Sequence, residues 1–128
     1  MIFGIGIDTI EVERIAKTLS DYGDQFRNRI FTEDESAYCL SRRFSAEHFA
    51  ARFAAKEAFA KAIGTGIRRG FRWREVEVRK EYSGKPIVLL HGTMIGKVAS
   101  IVGPDYSVSV SLTHTKELAE AIVIIEKG

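Results

Sequence analysis

The chain has 128 residues, of which 45% are hydrophobic and 28% charged, a size that suits one domain over 1–128 with a core that needs no disulfides or structural metal. A single cysteine cannot form an internal disulfide, and the N-terminus is unlike a signal peptide, so a secreted disulfide scaffold is excluded. No apolar run approaches the ~18 residues that a membrane span needs. We therefore expect a cytoplasmic protein without membrane association, and the net charge of +2 is too small to indicate nucleic-acid binding.

The N-terminal half is predicted to contain one strand and three helices. An apolar run ending in a carboxylate indicates the strand, and helical spacing of apolar residues follows it. Thr32 and Glu35 have capping-box spacing, which predicts the start of a second helix. Ser45 is expected to cap a long, alanine-rich helix that ends at Gly64. The expected ranges, in chain order, are 2–8, 9–20, 32–40 and 46–63.

The C-terminal half is predicted to be mainly strands. Alternating apolar residues indicate strands, and the Ser83-Gly84-Lys85-Pro86 stretch indicates a turn between two of them. The last two strands are expected to pair antiparallel, so we predict an α+β fold with a mainly antiparallel sheet packed against one long and several shorter helices. The expected strands are 73–81, 87–90, 106–112 and 119–125, with a helix over 92–102.

Asp8 is the first candidate for a catalytic or ligand-binding residue because it stands at the end of the first predicted strand. An aspartate at this point is either an ordinary helix cap or turn residue, or a carboxylate presented to a metal or a cationic substrate. The preceding Gly4-Ile5-Gly6 only weakly suggests a dinucleotide fingerprint, since Thr9 stands where a third glycine belongs.

The long helix presents Phe49, Phe53, Glu57 and Lys61 on one face at intervals of four residues. Glu57 and Lys61 form either an ordinary surface ion pair, or a metal ligand or base beside an anion-binding lysine. Two further cations, Arg52 and Lys56, lie on the flanks of this face.

Three further features allow both a structural and a functional interpretation. Gly64-Thr65-Gly66 is either a helix stop or a bare backbone that a ligand can approach. His114 stands where two strands meet and is either a structural hydrogen-bonding residue or a catalytic one, whereas His48 and His91 are expected to be surface residues. The cluster of Arg68, Arg69, Arg72 and Arg74 is either a solvated face or a site for phosphate or an acidic partner.

Two carboxylates on separate elements, Asp8 and Glu57, suit a hard cation better than zinc. Mg²⁺ binds one or two carboxylates and completes its shell with water and substrate phosphates, and nearby lysines and arginines bind the remaining phosphate oxygens. The residues alone thus suggest Mg²⁺-assisted transfer at a phosphoryl or pyrophosphate group.

Together these segments resemble the short type of 4′-phosphopantetheinyl transferase, the holo-acyl-carrier-protein synthases. The resemblance extends over nearly the whole chain, and R-F-A-A-K-E-A-F-A-K-A followed by G-T-G is its most specific part. The matching segments are Gly6-Ile7-Asp8, Arg14-Ile15, Arg52 to Ala62, Gly64-Thr65-Gly66, Gly84-Lys85-Pro86 and Val110 to Thr115.

The resemblance implies transfer of the phosphopantetheine arm of coenzyme A to a serine of apo acyl carrier protein, with adenosine 3′,5′-bisphosphate as the second product. It also implies a homotrimer with active sites between protomers. The implied catalytic residues are Asp8, Glu57 and Lys61, of which Asp8 and Glu57 hold Mg²⁺. The implied coenzyme A-binding residues are Arg52, Lys61, Gly64, Gly66, His114 and Thr115, and Arg14 meets the acidic helix of the carrier protein.

Two alternatives stay open at this point. A non-catalytic nucleic-acid-binding module explains the arginine cluster but not Asp8 with Glu57. A catalytically inactive relative that only binds coenzyme A is disfavoured by the intact Asp8, Glu57 and Lys61.

Overall fold

The computed structural model describes residues 1–68 and 70–128, and all of its strands pair antiparallel. In chain order the elements are β1 (Ile2–Glu11), α1 (Val12–Tyr22), α2 (Asp24–Ile30), α3 (Glu33–Leu40), α4 (Ser45–Ile63), a 3₁₀ turn (Trp73–Glu75), β2 (Val76–Lys80), β3 (Pro86–Leu90), α5 (Thr93–Val102), β4 (Tyr106–His114) and β5 (Leu118–Lys127). A three-stranded sheet has the order β1-β5-β4, and β2 pairs with β3 in a second sheet. The predicted α+β class is confirmed.

Helix α4 lies directly against β1 because both contact surfaces consist of small residues. A Cβ atom on Gly6 would stand 1.8 Å from the carbonyl oxygen of Ala58, and one on Gly4 would stand 1.9 Å from that of Ala62. No side chain fits at either glycine, so the Gly4-Ile5-Gly6 sequence serves close packing of helix on strand. Side chains alternate along a strand, and Asp8 therefore lies on the same face and points towards α4.

The predicted ends of α4 agree only in part with the structure. The helix ends at Gly64 as expected, and this glycine has the left-handed conformation, with φ of 92°. Ser45 is not the N-cap, however, because it is already the first helical residue and Phe44 precedes it without a side-chain cap. Seven of the twelve buried residues of α4 are alanines, which allows its neighbours to approach closely: Ala50, Ala51, Ala54, Ala55, Ala58, Ala60 and Ala62.

Other predicted element boundaries were also wrong, and one helix was missed. The first strand continues to Glu11, because pairing with β5 extends to Leu118 and delays the start of α1. The strand expected from Trp73 begins at Val76, since the preceding three residues form a 3₁₀ turn. Helix α2 was not predicted at all.

A buried ion pair joins α3 and α4 to the segment before β2. The Nζ atom of Lys56 lies 2.8 Å from Oε1 of Glu35 and donates to the carbonyl oxygens of Ile30 and Trp73, each at 2.9 Å. Both side chains are almost completely buried. Lys56 is therefore not one of several cations around Glu57, and its pKa is lowered by burial against the opposing effect of Glu35.

The outer face of the three-stranded sheet leaves apolar side chains uncovered. Ile5 and Ile7 are 55% and 54% exposed, and their partners on β5, Ile124 and Ile122, lie on the same face. Within the described ranges, no helix is both long and apolar enough to cross a membrane.

Candidate active site

A cavity of about 480 Å³ opens between the end of β1 and helices α1, α2 and α4. It brings together Asp8 and Glu57, which are 49 positions apart in the sequence. The described residues that line it are Asp8, Thr9, Ile10, Arg14, Ile15, Lys17, Thr18, Phe26, Phe53 and Glu57.

Asp8 is held by a lysine from the facing helix. The Nζ atom of Lys61 lies 3.1 Å from Oδ1 of Asp8 and donates to the carbonyl oxygen of Ile7 at 3.0 Å. The Asp8 side chain is only 12% exposed, whereas that of Lys61 is 50% exposed. The ammonium group therefore neutralises Asp8 while keeping one side open to solvent.

The side chain of Glu57 forms no hydrogen bond or ion pair with any other described residue, although Glu57 is half-buried. Its pKa is raised above the ordinary value by burial and then by the negative charge of Asp8, against the opposing charges of Lys61 and Arg14. The alternative of a surface Glu57–Lys61 pair is not found, since Lys61 pairs with Asp8 instead. Glu57 is thus a carboxylate that is available for a ligand.

The donor set fits a hard divalent cation. Two carboxylates converge on the cavity, and their repulsion, which helps raise the pKa of Glu57, would be relieved by a cation bound to both. The described part of the chain contains no group of three or more His, Cys, Asp or Glu side chains that would suit a metal held by protein ligands alone. Mg²⁺ matches this pattern because it keeps several non-protein ligands.

Aromatic rings form one wall of the cavity. Phe53 lies against Phe26 with ring centroids 6.3 Å apart, and on its other side it stacks on Trp73 at 5.0 Å and 20°. Sequence reasoning missed Phe26 because it missed α2. The available signal was that Phe26 and the buried Ile30 are four residues apart, and one such pair is too little periodicity to predict a helix.

Arg14 and Lys17 place positive charge at the rim of the same cavity, on α1. Both side chains are exposed. The predicted carrier-protein residue, Arg14, therefore lies beside the predicted catalytic carboxylates rather than on a distant surface.

His114 belongs to a second group of residues, at the other end of α4. Its Nδ1 atom lies 2.9 Å from Oε1 of Glu47, and its ring centroid is 4.8 Å from that of His48. The expectation that His48 is a plain surface residue was wrong. Its pKa is lowered to about 4 by burial and by the nearby positive charges, His114 first among them, so His48 is neutral near pH 7.

Arg52 is buried, with an exposed fraction of 2%. Its guanidinium carbon lies 4.4 Å from the centroid of the Tyr38 ring, and its Nε atom has no hydrogen-bond partner among the described residues. This placement puts Arg52 on the side of α4 that faces Tyr38 and not in the cavity of Asp8 and Glu57.

The other residues that are predicted to bind a ligand, Gly64, Gly66 and Thr115, lie outside the helices and strands. Gly64 and Gly66 both have positive φ, and no atom lies within 4 Å of where a Cβ would stand. Thr115 lies in the turn between β4 and β5, where its hydroxyl oxygen accepts the backbone N–H groups of Glu117 and Leu118.

The predicted coenzyme A residues therefore fall into two groups within one chain. His114 is held by Glu47 near the start of α4. At the helical rise of 1.5 Å per residue, Glu47 lies about 15 Å from Glu57 along the helix axis. Lys61 and Gly64 lie still farther along the helix axis.

Comparisons with known proteins agree with one another. Residues 4–111 match the family model described as the 4′-phosphopantetheinyl transferase superfamily. The chain is 47% identical to the holo-[acyl-carrier-protein] synthase of Koribacter versatilis (strain Ellin345) over 98% of this chain and 99% of that protein.

Two solved structures are similar over nearly their full lengths. One is a holo-(acyl-carrier-protein) synthase from Bacillus anthracis strain Ames in complex with CoA (3′,5′-ADP), with 38% identity, a TM-score of 0.81 and coverage of 100% of this chain and 99% of that one. The other is the holo-[acyl-carrier-protein] synthase of Neisseria meningitidis, with 35% identity, a TM-score of 0.87 and coverage of 99% and 100%.

Proposed function

The chain belongs to the 4′-phosphopantetheinyl transferase superfamily, and we propose that it transfers the phosphopantetheine arm of coenzyme A to a serine of apo acyl carrier protein. The products are holo acyl carrier protein and adenosine 3′,5′-bisphosphate. The observation that supports this best is the shared cavity of Asp8 and Glu57, with Lys61 against Asp8.

Asp8 and Glu57 are the residues that would hold Mg²⁺. When bound there, Mg²⁺ would supply positive charge that stabilises the negative charge developing on the pyrophosphate oxygens of coenzyme A. Lys61 is half-exposed and adds a fixed positive charge on the same side, which stabilises charge on the leaving oxygen.

Glu57 is proposed to accept the proton of the attacking serine, either directly or through a water molecule. The serine oxygen then bonds to the phosphorus that bears the pantetheine arm, and the bond from this phosphorus to the bridging oxygen breaks. Burial, which raises the pKa of Glu57, makes this carboxylate a stronger base than an ordinary glutamate.

The complete coenzyme A site is proposed to lie between two copies of this chain in a homotrimer. In one chain, His114 lies against Glu47, about 15 Å along α4 from Glu57, and Arg52 faces Tyr38 and not the cavity of Asp8 and Glu57. The exposed isoleucines of the outer sheet face, Ile5, Ile7 and Ile122, offer apolar surface for such an assembly.

Mixing two inactive variants tests this arrangement. Glu57→Gln and His114→Ala proteins are each expected to be inactive, and activity is expected to return when they are mixed, because some sites then combine an intact half from each. A mixture that stays inactive, in a sample that native mass spectrometry shows to contain both variants in one oligomer, would contradict an inter-subunit site.

Transfer itself is tested by intact-mass analysis of apo acyl carrier protein incubated with coenzyme A and Mg²⁺. We expect a mass gain of one phosphopantetheine group, and EDTA is expected to abolish it. Binding of coenzyme A without any mass gain on the carrier proteins tested would favour a non-catalytic binding module. The lone, buried Cys39 thiol suits a reducing compartment, so the cytoplasm is the proposed location.

A further inference from the structure

A second cavity, of about 500 Å³, lies between the end of α2 and residues 67–68 and 70–75. Its walls contain arginines whose side chains are exposed and form no ion pair with any other described residue: Arg29, Arg68, Arg72 and Arg74. Arg69, which belongs to the same sequence cluster, lies outside the described residues.

The positive charge of this arginine cavity is poorly compensated. Among the described residues that line it, the one carboxylate is Glu75. Its Oε1 atom already accepts the hydroxyl of Thr93 at 2.8 Å and the backbone N–H of Met94 at 3.0 Å. The Nζ atom of Lys97 also reaches this region, 2.7 Å from where a Cβ on Gly70 would stand. Such a concentration of like charge favours an anionic partner.

The arginine cavity and the cavity of Asp8 and Glu57 share an aromatic ridge. Trp73 lines the arginine cavity and stacks on Phe53, which lines the other one. Helix α2 likewise supplies Phe26 to one cavity and Arg29 to the other. The stacked rings of Phe53 and Trp73 therefore connect the walls of the two cavities.

Positive charge lies on both sides of this ridge. Arg14 of α1 stands on one side, next to Lys17, which pairs with Asp21, and the arginine cavity stands on the other. A protein that presents a serine to Glu57 while it lies across the aromatic rings therefore meets cations at two places. Aromatic rings with flanking arginines are typical of the energetically important parts of protein interfaces.

We propose that the arginine cavity is a second docking surface for the acidic acyl carrier protein, in addition to Arg14. This inference rests on the proposed function. One acidic segment of the carrier lies against α1, a second lies against Arg72 and Arg74, and apolar side chains between them cover the ridge. The cavity then contributes to affinity for the carrier protein and not to affinity for coenzyme A.

The double charge reversal R72E/R74E tests this surface. We expect the KM for apo acyl carrier protein to rise about tenfold at low ionic strength, because two favourable charge pairs become repulsive. The increase is expected to shrink as salt is added, since screening weakens both attraction and repulsion. The KM for coenzyme A and the kcat are expected to stay at wild-type values.

The control is K85E/K127E, which changes the net charge equally at two exposed lysines that line neither cavity. Its KM for the carrier is expected to change less than twofold, because distant exposed charges are screened. The conservative variant R72K/R74K keeps the charge and is expected to retain most of the affinity.

If R72E/R74E folds and its KM for the carrier protein is unchanged, the proposal of a second docking surface is wrong. It is also wrong if only the KM for coenzyme A rises, because that result would assign the arginines to the nucleotide phosphates. If circular dichroism shows that the reversal variant does not fold, the neutral variant R72Q/R74Q decides between the same outcomes. A wild-type protein that modifies no carrier would instead refute the proposed function.

Discussion

Lys61 forms its ion pair across the interface between α4 and β1, with Asp8 at 3.1 Å, and not with Glu57 one turn away on its own helix. The pair joins the two elements that supply the proposed metal ligands. It leaves the Glu57 side chain without a partner among the described residues, close enough to Asp8 for the negative charge of Asp8 to raise the pKa of Glu57.

Replacing Lys61 by alanine is expected to impair both substrate binding and turnover. The change removes the positive charge that faces the pyrophosphate and also frees the Asp8 side chain. We expect the KM for coenzyme A to rise about tenfold and the kcat to fall by a similar factor, measured in steady-state transfer assays. Lys61→Arg keeps the charge and is expected to retain part of the activity. A selective change in the carrier KM would contradict this role.

Replacing Glu57 by glutamine is expected to preserve the fold and to reduce kcat by at least 100-fold, in line with the usual contribution of a general base. The amide has nearly the same shape but neither accepts the serine proton nor contributes a carboxylate to the metal site. Single-turnover transfer followed by intact mass measures the loss, and thermal melting checks the fold. Wild-type rates in this variant would refute the proposed active site.

Replacing Gly6 by alanine is expected to destabilise the protein by at least ~3 kcal/mol or to prevent folding, because helix and strand would have to separate. The added Cβ would overlap the carbonyl oxygen of Ala58. Gly96→Ala is the control, since nothing lies within 4 Å of the new Cβ in the middle of α5. This control is expected to stabilise the protein by about 0.4–1 kcal/mol, and urea denaturation measures both variants.

Removing Glu35 is expected to cost about 3–5 kcal/mol of the free energy of unfolding, because Lys56 is left charged and buried. Glu35 also accepts the backbone N–H groups of Thr32 and Val78. Glu35→Leu is therefore expected to be worse than Lys56→Met, which leaves those two bonds intact. The exposed pair of Lys17 and Asp21, at a similar 2.9 Å, is the control. Asp21→Ala is expected to cost less than about 1 kcal/mol.

His48 is expected to make the protein less stable in mild acid. Its folded-state pKa of about 4 lies below the ordinary 6.5, so between these values the unfolded chain binds a proton that the folded chain excludes. The free energy of unfolding is therefore expected to fall as the pH drops from about 6.5 to about 4, by about 1–2 kcal/mol after allowance for solvent screening. His48→Gln is expected to remove this part of the slope in urea denaturation, and an identical slope in both proteins would contradict it.

Local sequence signals predicted the local features of this fold. The capping box of Thr32 and Glu35 is present with both hydrogen bonds, and the long helix ends at Gly64. These features depend on residues within one turn of each other, so their spacing in the sequence is sufficient.

Features that depend on distant partners were not predictable in the same way. Glu35 is a helix-capping residue by its spacing, yet it is also the buried partner of Lys56, 21 positions later. The burial of Arg52 and the contact of His48 with His114 likewise arise only when α3, α4 and β4 meet. For the candidate site, sequence reasoning selected Asp8 and Glu57, and only tertiary packing brings them to one cavity.

The close packing of Gly4 and Gly6 on α4 sets limits on insertions in β1. Side chains alternate along a strand with a rise of about 3.3 Å per residue. One residue inserted after Gly6 would turn Asp8 away from α4 to the outer face, and two would restore its direction but move it by about 6.6 Å from its place opposite Lys61. Because the two glycines fix the position of β1 on α4, placing a carboxylate opposite Lys61 requires the exact number of residues between Gly6 and Asp8 as well as an aspartate at position 8.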